Sequence, residues 1–198
     1  MRIFVAGASG LIGVRLVPLL VAAGHEVAGM TRSPEKAQTM RELGAEPVVC
    51  DVYNTAAFTS AVRVFGPDVL VHQLTDLPDA AADRGQFRER NNRMRGEGTR
   101  TVVAAAAAAG ERPVIAQSIA WELPTEAGRA ATAVHERAVL ESGGVVIRYG
   151  QFWGPGTYYE VTPPDRPRIH IDDAARQTVP VLQAPAGLTI VIDDRVST

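Results

Sequence analysis

Gly7, Gly10 and Gly13 stand three residues apart, after an apolar run at 3–6 and ahead of an apolar helical stretch at 11–23. That pattern admits few folds, because each glycine answers a separate steric demand. Gly7 allows a tight turn out of a strand, Gly10 lets backbone approach a ligand, and Gly13 lets the following helix pack closely on the sheet. The helix start carries unpaired N–H groups and the positive end of the peptide dipole, so it suits a pyrophosphate. The segment Gly7-Ala8-Ser9-Gly10-Leu11-Ile12-Gly13 therefore predicts a strand, turn and helix that cradle a dinucleotide.

The rest of the chain repeats the alternation. Strands are expected at 25–30, 47–50, 69–72, 114–116, 145–148, 169–171 and 188–192. Helices are expected at 34–43, 56–65, 86–109, 126–140 and 172–182. Ser33 and Pro34 provide an N-cap and a first helical residue for one of them, and Gly44 a stop. Gly96 and Gly98 fall inside the long helix, where each costs about 1 kcal/mol, and so predict close backbone packing there. Short apolar strands between long helices imply an α/β fold: a Rossmann-type doubly wound, mainly parallel sheet of about seven strands with helices on both faces. Residues 1–198 read as one domain with a reduced C-terminal substrate region at about 151–198.

Composition excludes several function classes. A net charge of −2 gives no electrostatic footprint for nucleic acid or an anionic membrane. Short arginine groups around Arg63, at 84–100 and at 166–168 read as solvated faces. Cys50 is the single cysteine, so no disulfide framework or cysteine metal cluster is expected, and a lone thiol suits a reducing, cytoplasmic setting. No metal site is expected elsewhere, and no stretch is long and apolar enough to span a bilayer.

The end of the second strand distinguishes the two nicotinamide dinucleotides. An NAD site places an acidic residue there for the ribose hydroxyls. This chain offers Thr31-Arg32-Ser33 with Lys36 one turn on. A guanidinium clamps a 2′-phosphate bidentately, and Ser33 adds a donor, so NADP is expected over NAD.

Taken together these residues resemble the short-chain dehydrogenase/reductase superfamily, in its extended or atypical branch and NAD-dependent epimerase/dehydratase group. The resemblance implies further site residues. Asp51-Val52 match the pair that holds adenine, and His72, Gln73, Leu74 and Thr75 match the fourth-strand exit facing the nicotinamide. Asn92, followed by Arg93, Arg95, Glu97, Gly98 and Thr99, resembles the long-helix motif. Gln117-Ser118 match the fifth-strand end with its active-site serine, and Tyr149, Gly150 and Phe152 match the exit enclosing the nicotinamide. The segment 169–175, with Asp172 and Asp173 as candidate N-caps, resembles a late helix-opening motif.

Two departures stand out. The family pair of Tyr and Lys, four residues apart, moves the proton while hydride moves. Between Trp121 and Glu141 there is neither, and Gly128 and Thr132 stand in the matching positions. The insert before the His170-Ile171-Asp172-Asp173 segment is short, and little of the C-terminal substrate lobe follows.

Ser118 remains as a hydrogen-bond donor to a substrate carbonyl, or as a strand-end cap. Tyr149, Tyr158 and Tyr159 are substitute acids or loop packing, and His135 reads as a surface or packing residue. The expected function is NADP-dependent reduction of a small carbonyl or alkene near Ser118, residues 72–75 and Phe152-Trp153. The alternative is a binding module that senses NADP(H) or docks a partner without catalysis. The oligomer expected is a monomer, or a homodimer through the helices at 86–109 and 126–140.

Overall fold

The computed structural model describes residues 1–78, 83 and 85–193, so Arg84 of the second arginine group and the end of the C-terminal region lie outside them. The first half of the chain runs β1 (Arg2–Ala6), α1 (Gly13–Ala22), β2 (Glu26–Thr31), a 3₁₀ turn at Pro34–Lys36, α2 (Ala37–Glu42), β3 (Glu46–Val49), α3 (Thr55–Phe65) and β4 (Val69–His72). It continues with α4 (Arg88–Arg93), a π turn at Met94–Gly98, α5 (Thr99–Ala108), β5 (Val114–Ile119), α6 (Glu126–Glu141) and β6 (Val145–Tyr149). Last come β7 (Gln151–Trp153), β8 (Arg168–His170), α7 (Ile171–Thr178), a 3₁₀ stretch Val179–Gln183 and β9 (Gly187–Val191).

Seven strands form one sheet in the order β3-β2-β1-β4-β5-β6-β9, every pairing parallel. A sheet of this kind must be covered on both faces. Alternate residues of β1 show how that is met. Ile3 and Val5 enter a core beneath α1 and α7, whereas Phe4 and Ala6 enter a second core with Phe58 of α3 and Val102 of α5. The connections leave β1 towards β2 on one side and return to β4 on the other, so the strand order reverses between β1 and β4. A crevice opens there at the carboxyl ends of the strands, the usual place for a ligand in open α/β sheets. No helix among the described residues is long and apolar enough to cross a membrane.

Four local expectations need correction. The fifth strand runs on through Ile119, because Gln117 and Ser118 keep their ladder between β4 and β6 and turn polar side chains to specific partners. The long helix is broken by the π turn. A Cβ on Gly98 would lie 2.5 Å from the Met94 sulfur, as close packing requires, but Gly96 has nothing nearer than 3.9 Å. His170, not an aspartate, caps α7: its Nδ1 accepts from the Asp172 N–H at 3.3 Å, while Asp172 Oδ1 takes Arg15 Nε at 2.9 Å. Ser33 holds the extended N-cap conformation but its hydroxyl donates to Glu35, so no side-chain cap forms. Beside the main sheet, β7 pairs with β8, an arrangement that the local sequence does not announce.

Candidate functional site

The cradle is built by exclusion. Gly7 leaves β1 with φ +89°, and a Cβ there would sit 2.7 Å from the Gln73 carbonyl carbon and 2.9 Å from the Leu74 nitrogen. A Cβ on Gly13 would lie 2.5 Å from the carbonyl oxygens of both Gly7 and Ala8, so its close approach is to the turn itself rather than to the sheet. The turn is tied to β2 by Ala8 N–H donating to Met30 O at 3.1 Å and by Ser9 Oγ donating to Thr31 Oγ1 at 2.9 Å. Among the described residues, the N–H groups of Leu11, Ile12 and Gly13 donate to no backbone carbonyl, and Ile12 at the N-cap provides no side-chain cap. An anion is what such a helix start lacks. The residues present therefore fit a pyrophosphate.

The crevice has a volume of about 1000 Å³ and gathers most of the anticipated residues. Its floor is Gly7, Ser9, Gly10, Leu11 and Ile12, and its β2 end is Thr31, Arg32 and Lys36. The β4 exit contributes His72, Gln73, Leu74 and Thr75; β5 contributes Gln117 and Ser118, and the passage from β6 into β7 contributes Tyr149, Gly150 and Phe152. Ala8 and Gly13 lie beneath it, buried. Ser33 is turned away, and its N–H donates to Thr31 Oγ1 at 3.2 Å. Val52 is fully buried beside Phe58 in the second core, and Asp51 is exposed with one oxygen accepting from the Tyr53 N–H at 2.9 Å, so neither lines the crevice. Asn91 takes the place expected of Asn92. One residue is about 100° on a helix, and Asn91 is the one turned inward, its Oδ1 accepting from the Asp76 N–H at 3.0 Å.

Arg32 is half-exposed, and its Nη2 lies 3.6 Å from the buried carboxylate of Asp76. Arg90 holds the same carboxylate more tightly, with Nε at 3.2 Å and Nη2 at 3.0 Å. Asp76 is thus neutralised chiefly by Arg90. Arg32 keeps donors for an incoming anion.

At the other arm, the hydroxyl hydrogens are already committed. Ser118 Oγ donates to Glu136 Oε1 at 2.6 Å, and Arg148 grips both oxygens of the same carboxylate. Burial alone would raise the Glu136 pKa, but Arg148 and Ser118 outweigh it and hold the group below the usual carboxylate range. Ser118 therefore offers a ligand lone pairs rather than a proton, contrary to the donor role expected of it. Tyr149 donates to Thr178 Oγ1 at 2.5 Å, since Thr178 itself donates to the Ala174 carbonyl at 2.7 Å. Burial pushes the Tyr149 phenol up to about 12, against the opposite pull of its hydrogen bond with Thr178. It is no base at neutral pH. Among the described residues, neither amide atom of buried Gln73 has a hydrogen-bond partner. Tyr158 donates to the Pro78 carbonyl and Tyr159 to Gln151 at 3.4 Å, as loop packing would have them. Gly128 lines the crevice, whereas Thr132 faces a smaller hollow of about 340 Å³ and donates to the Gly128 carbonyl at 2.9 Å.

Of the two roles open to His135, surface or packing, the structure takes the second: it is 3% exposed and part of a hydrogen-bonded chain. The Leu74 N–H can only donate, so His72 Nδ1 accepts at 3.2 Å and His72 Nε2 carries the proton. That proton points to Thr99 Oγ1 at 3.2 Å, and Thr99 donates onward to His135 Nδ1 at 2.6 Å. His135 Nε2 then donates to the Gln117 carbonyl at 2.8 Å. Burial pushes the His72 pKa down to about 3 and lowers that of His135. Both imidazoles are neutral in the fold. Above pH 6.5 they are neutral in the unfolded chain as well; below it the unfolded chain binds protons that the folded one refuses. Stability is therefore complete above about pH 6.5 and falls as acid is added, by about 1.4 kcal/mol per pH unit for His72. Urea unfolding at pH 7 and pH 5 is expected to differ by about 2 kcal/mol from His72, with His135 adding in the same direction. Equal stability at the two pH values would refute the neutral chain.

Sequence reasoning missed Asn91, Asp76 and Arg90, and placed Arg95 and Thr99 in the long-helix motif without a role. The phase of α4 would have pointed to Asn91, but only with the π turn in view; Asp76 and Arg90 carry no local signal.

A protein-family model described as NAD(P)H-binding matches residues 7–141. A 3-diazoavenalumate denitrifying reductase from a Streptomyces species is 34% identical, over 98% of this chain and 76% of its own length. A 4-hydroxy-2-methyl-3-oxo-4-farnesyl-3,4-dihydroquinoline-1-oxide ketoreductase from Stigmatella aurantiaca is 33% identical, over 78% of this chain but 51% of its own. The solved structure of UDP-glucose 4-epimerase from Thermus thermophilus with NAD superposes with a TM-score of 0.78 at 20% identity, over 98% of this chain and 78% of that one.

Proposed function

The chain belongs to the NAD(P)H-binding family among the atypical short-chain dehydrogenases/reductases, and on that premise we propose that it is an NADP-dependent reductase of a small carbonyl or alkene substrate. Arg32 carries the choice of cofactor: a basic residue stands at the end of β2, where an NAD site has a carboxylate. When bound, the dinucleotide supplies hydride. The chain's own residues hold its pyrophosphate at the Gly7–Gly13 turn and its 2′-phosphate at Arg32 and Lys36. Phe152 and Trp121 line the far arm and exclude water from the reacting pair.

Arg32→Ala is expected to weaken NADP⁺ binding about ten- to thirty-fold, the worth of a charged hydrogen bond, and to leave NAD⁺ within about two-fold. Calorimetric titration with both dinucleotides checks it. An equal loss for the two would mean that Arg32 does not read the 2′-phosphate.

A second reading is favoured by the committed protons of Ser118, Tyr149 and His135. Carbonyl reduction leaves an alkoxide that must be protonated, whereas a diazo acceptor needs no acid: hydride added to an aryl diazonium cation releases N₂ and leaves a C–H bond. The similar Streptomyces reductase is named for such a denitrifying reaction on a diazo compound. NADPH oxidation followed with aldehydes, enones and an aryl diazonium salt in parallel separates the two. Tight dinucleotide binding with no turnover on any of them would identify a binding module instead.

A further inference from the structure

Arg95 has no assigned role, yet it lies on the crevice wall opposite the adenosine end. It projects from the π turn Met94–Gly98, where the extra residue shifts the helix phase and turns a cation inward. Its neighbours by charge are Glu136 and His135, both on α6. Neither is free to serve it: Glu136 is held by Arg148 and Ser118, and His135 is neutral and bonded on both ring nitrogens. Among the described residues the Arg95 guanidinium makes no hydrogen bond and no ion pair. Burial pulls its pKa down, as expected of a charge withdrawn from water. Arg32 and Lys36 lie at the β2 end, and Arg88 on the rim is exposed to solvent. A partly buried guanidinium without a partner is costly unless an anion completes it, and its planar fork matches a carboxylate.

The geometry points to Arg95 as the anchor for a carboxylate on the substrate, which makes the far arm of the crevice selective for carboxylic acids over their neutral analogues. This rests on the reading of the crevice as a reductase site whose phosphates occupy the Gly7–Gly13 turn. Ser118 cannot share the task, because its oxygen faces a carboxylate with lone pairs only.

The probes are benzoate and benzamide, equal in shape and different in charge, titrated into the full chain with and without saturating NADP⁺. Benzoate is expected to bind at least about ten-fold more tightly than benzamide. Arg95→Met should erase that preference while leaving NADP⁺ affinity within about two-fold and thermal stability equal or higher, since it removes a charge that burial penalises. Arg32→Ala should leave the preference intact. Equal binding of the two probes by the unaltered chain, or a preference surviving Arg95→Met, overturns the proposal. Failure of the NADP⁺ titration alone overturns the reductase reading, and the benzoate comparison is then judged on the chain without dinucleotide.

Discussion

Gly7→Ala is expected to destabilise the fold by about 2–5 kcal/mol and to cut dinucleotide affinity by more than about a hundred-fold. Two effects add. A φ of +89° costs an L-residue about 1–2 kcal/mol. The new methyl would also lie 2.7–2.9 Å from backbone atoms of Gln73 and Leu74, and those atoms have nowhere to go. The Gln73 N–H is bonded to the Ala6 carbonyl at 2.8 Å, the Gln73 carbonyl accepts from Gln117 Nε2 at 3.0 Å, and the Leu74 N–H is held by His72 at 3.2 Å. The turn must therefore move, and it carries the N–H groups of Leu11 and Ile12 with it. Gly10→Ala is the internal control. Its methyl would meet only the Gly7 carbonyl at 3.2 Å, so affinity should fall with little change in stability. Urea unfolding and NADP⁺ titration of both variants test this. A Gly7→Ala protein with unaltered stability and binding would show that the β4 exit yields.

What was legible in the sequence was local. The glycine cradle spans seven residues, and the left-handed turn at Gly7 and the close approach at Gly13 are set within them, although Gln73 and Leu74 add to the demand at Gly7. The position of Arg32 was local too, one residue past β2 and on the crevice. The doubly wound parallel sheet followed because β/α alternation leaves few topologies. What escaped depended on distant partners. The fifth strand ends three residues late because Gln117 and Ser118 are satisfied by Gln73 and Glu136, which lie far away in sequence. Asn92 and Asn91 differ by one position, but the π turn that settles which one faces inward comes after both. Asp51 and Val52 carried the family pattern without its geometry, since Val52 packs in the core and Asp51 caps a turn.

The proton order through the interior explains both the missing acid and the last large effect. Thr99 is fully buried and bridges two rings whose centroids lie 5.4 Å apart. Thr99→Val keeps its shape and opens no cavity, yet it leaves His72 Nε2–H without an acceptor and His135 Nδ1 without a donor. Each buried unsatisfied group costs about 1–3 kcal/mol, so the variant should lose about 4 kcal/mol. Thr99→Ser retains the hydroxyl and should lose less than about 1.5 kcal/mol, from one buried methyl. The contrast identifies hydrogen bonding rather than packing as the cause. It also bears on the site, because His135 fixes the Gln117 carbonyl and Gln117 fixes the β4 exit against Gly7. Thr99→Val should therefore weaken NADP⁺ binding at conditions where the protein is still folded, and Thr99→Ser should not. If both variants unfold at the same urea concentration, the histidines find other partners and the chain of donors is not what holds the crevice in shape.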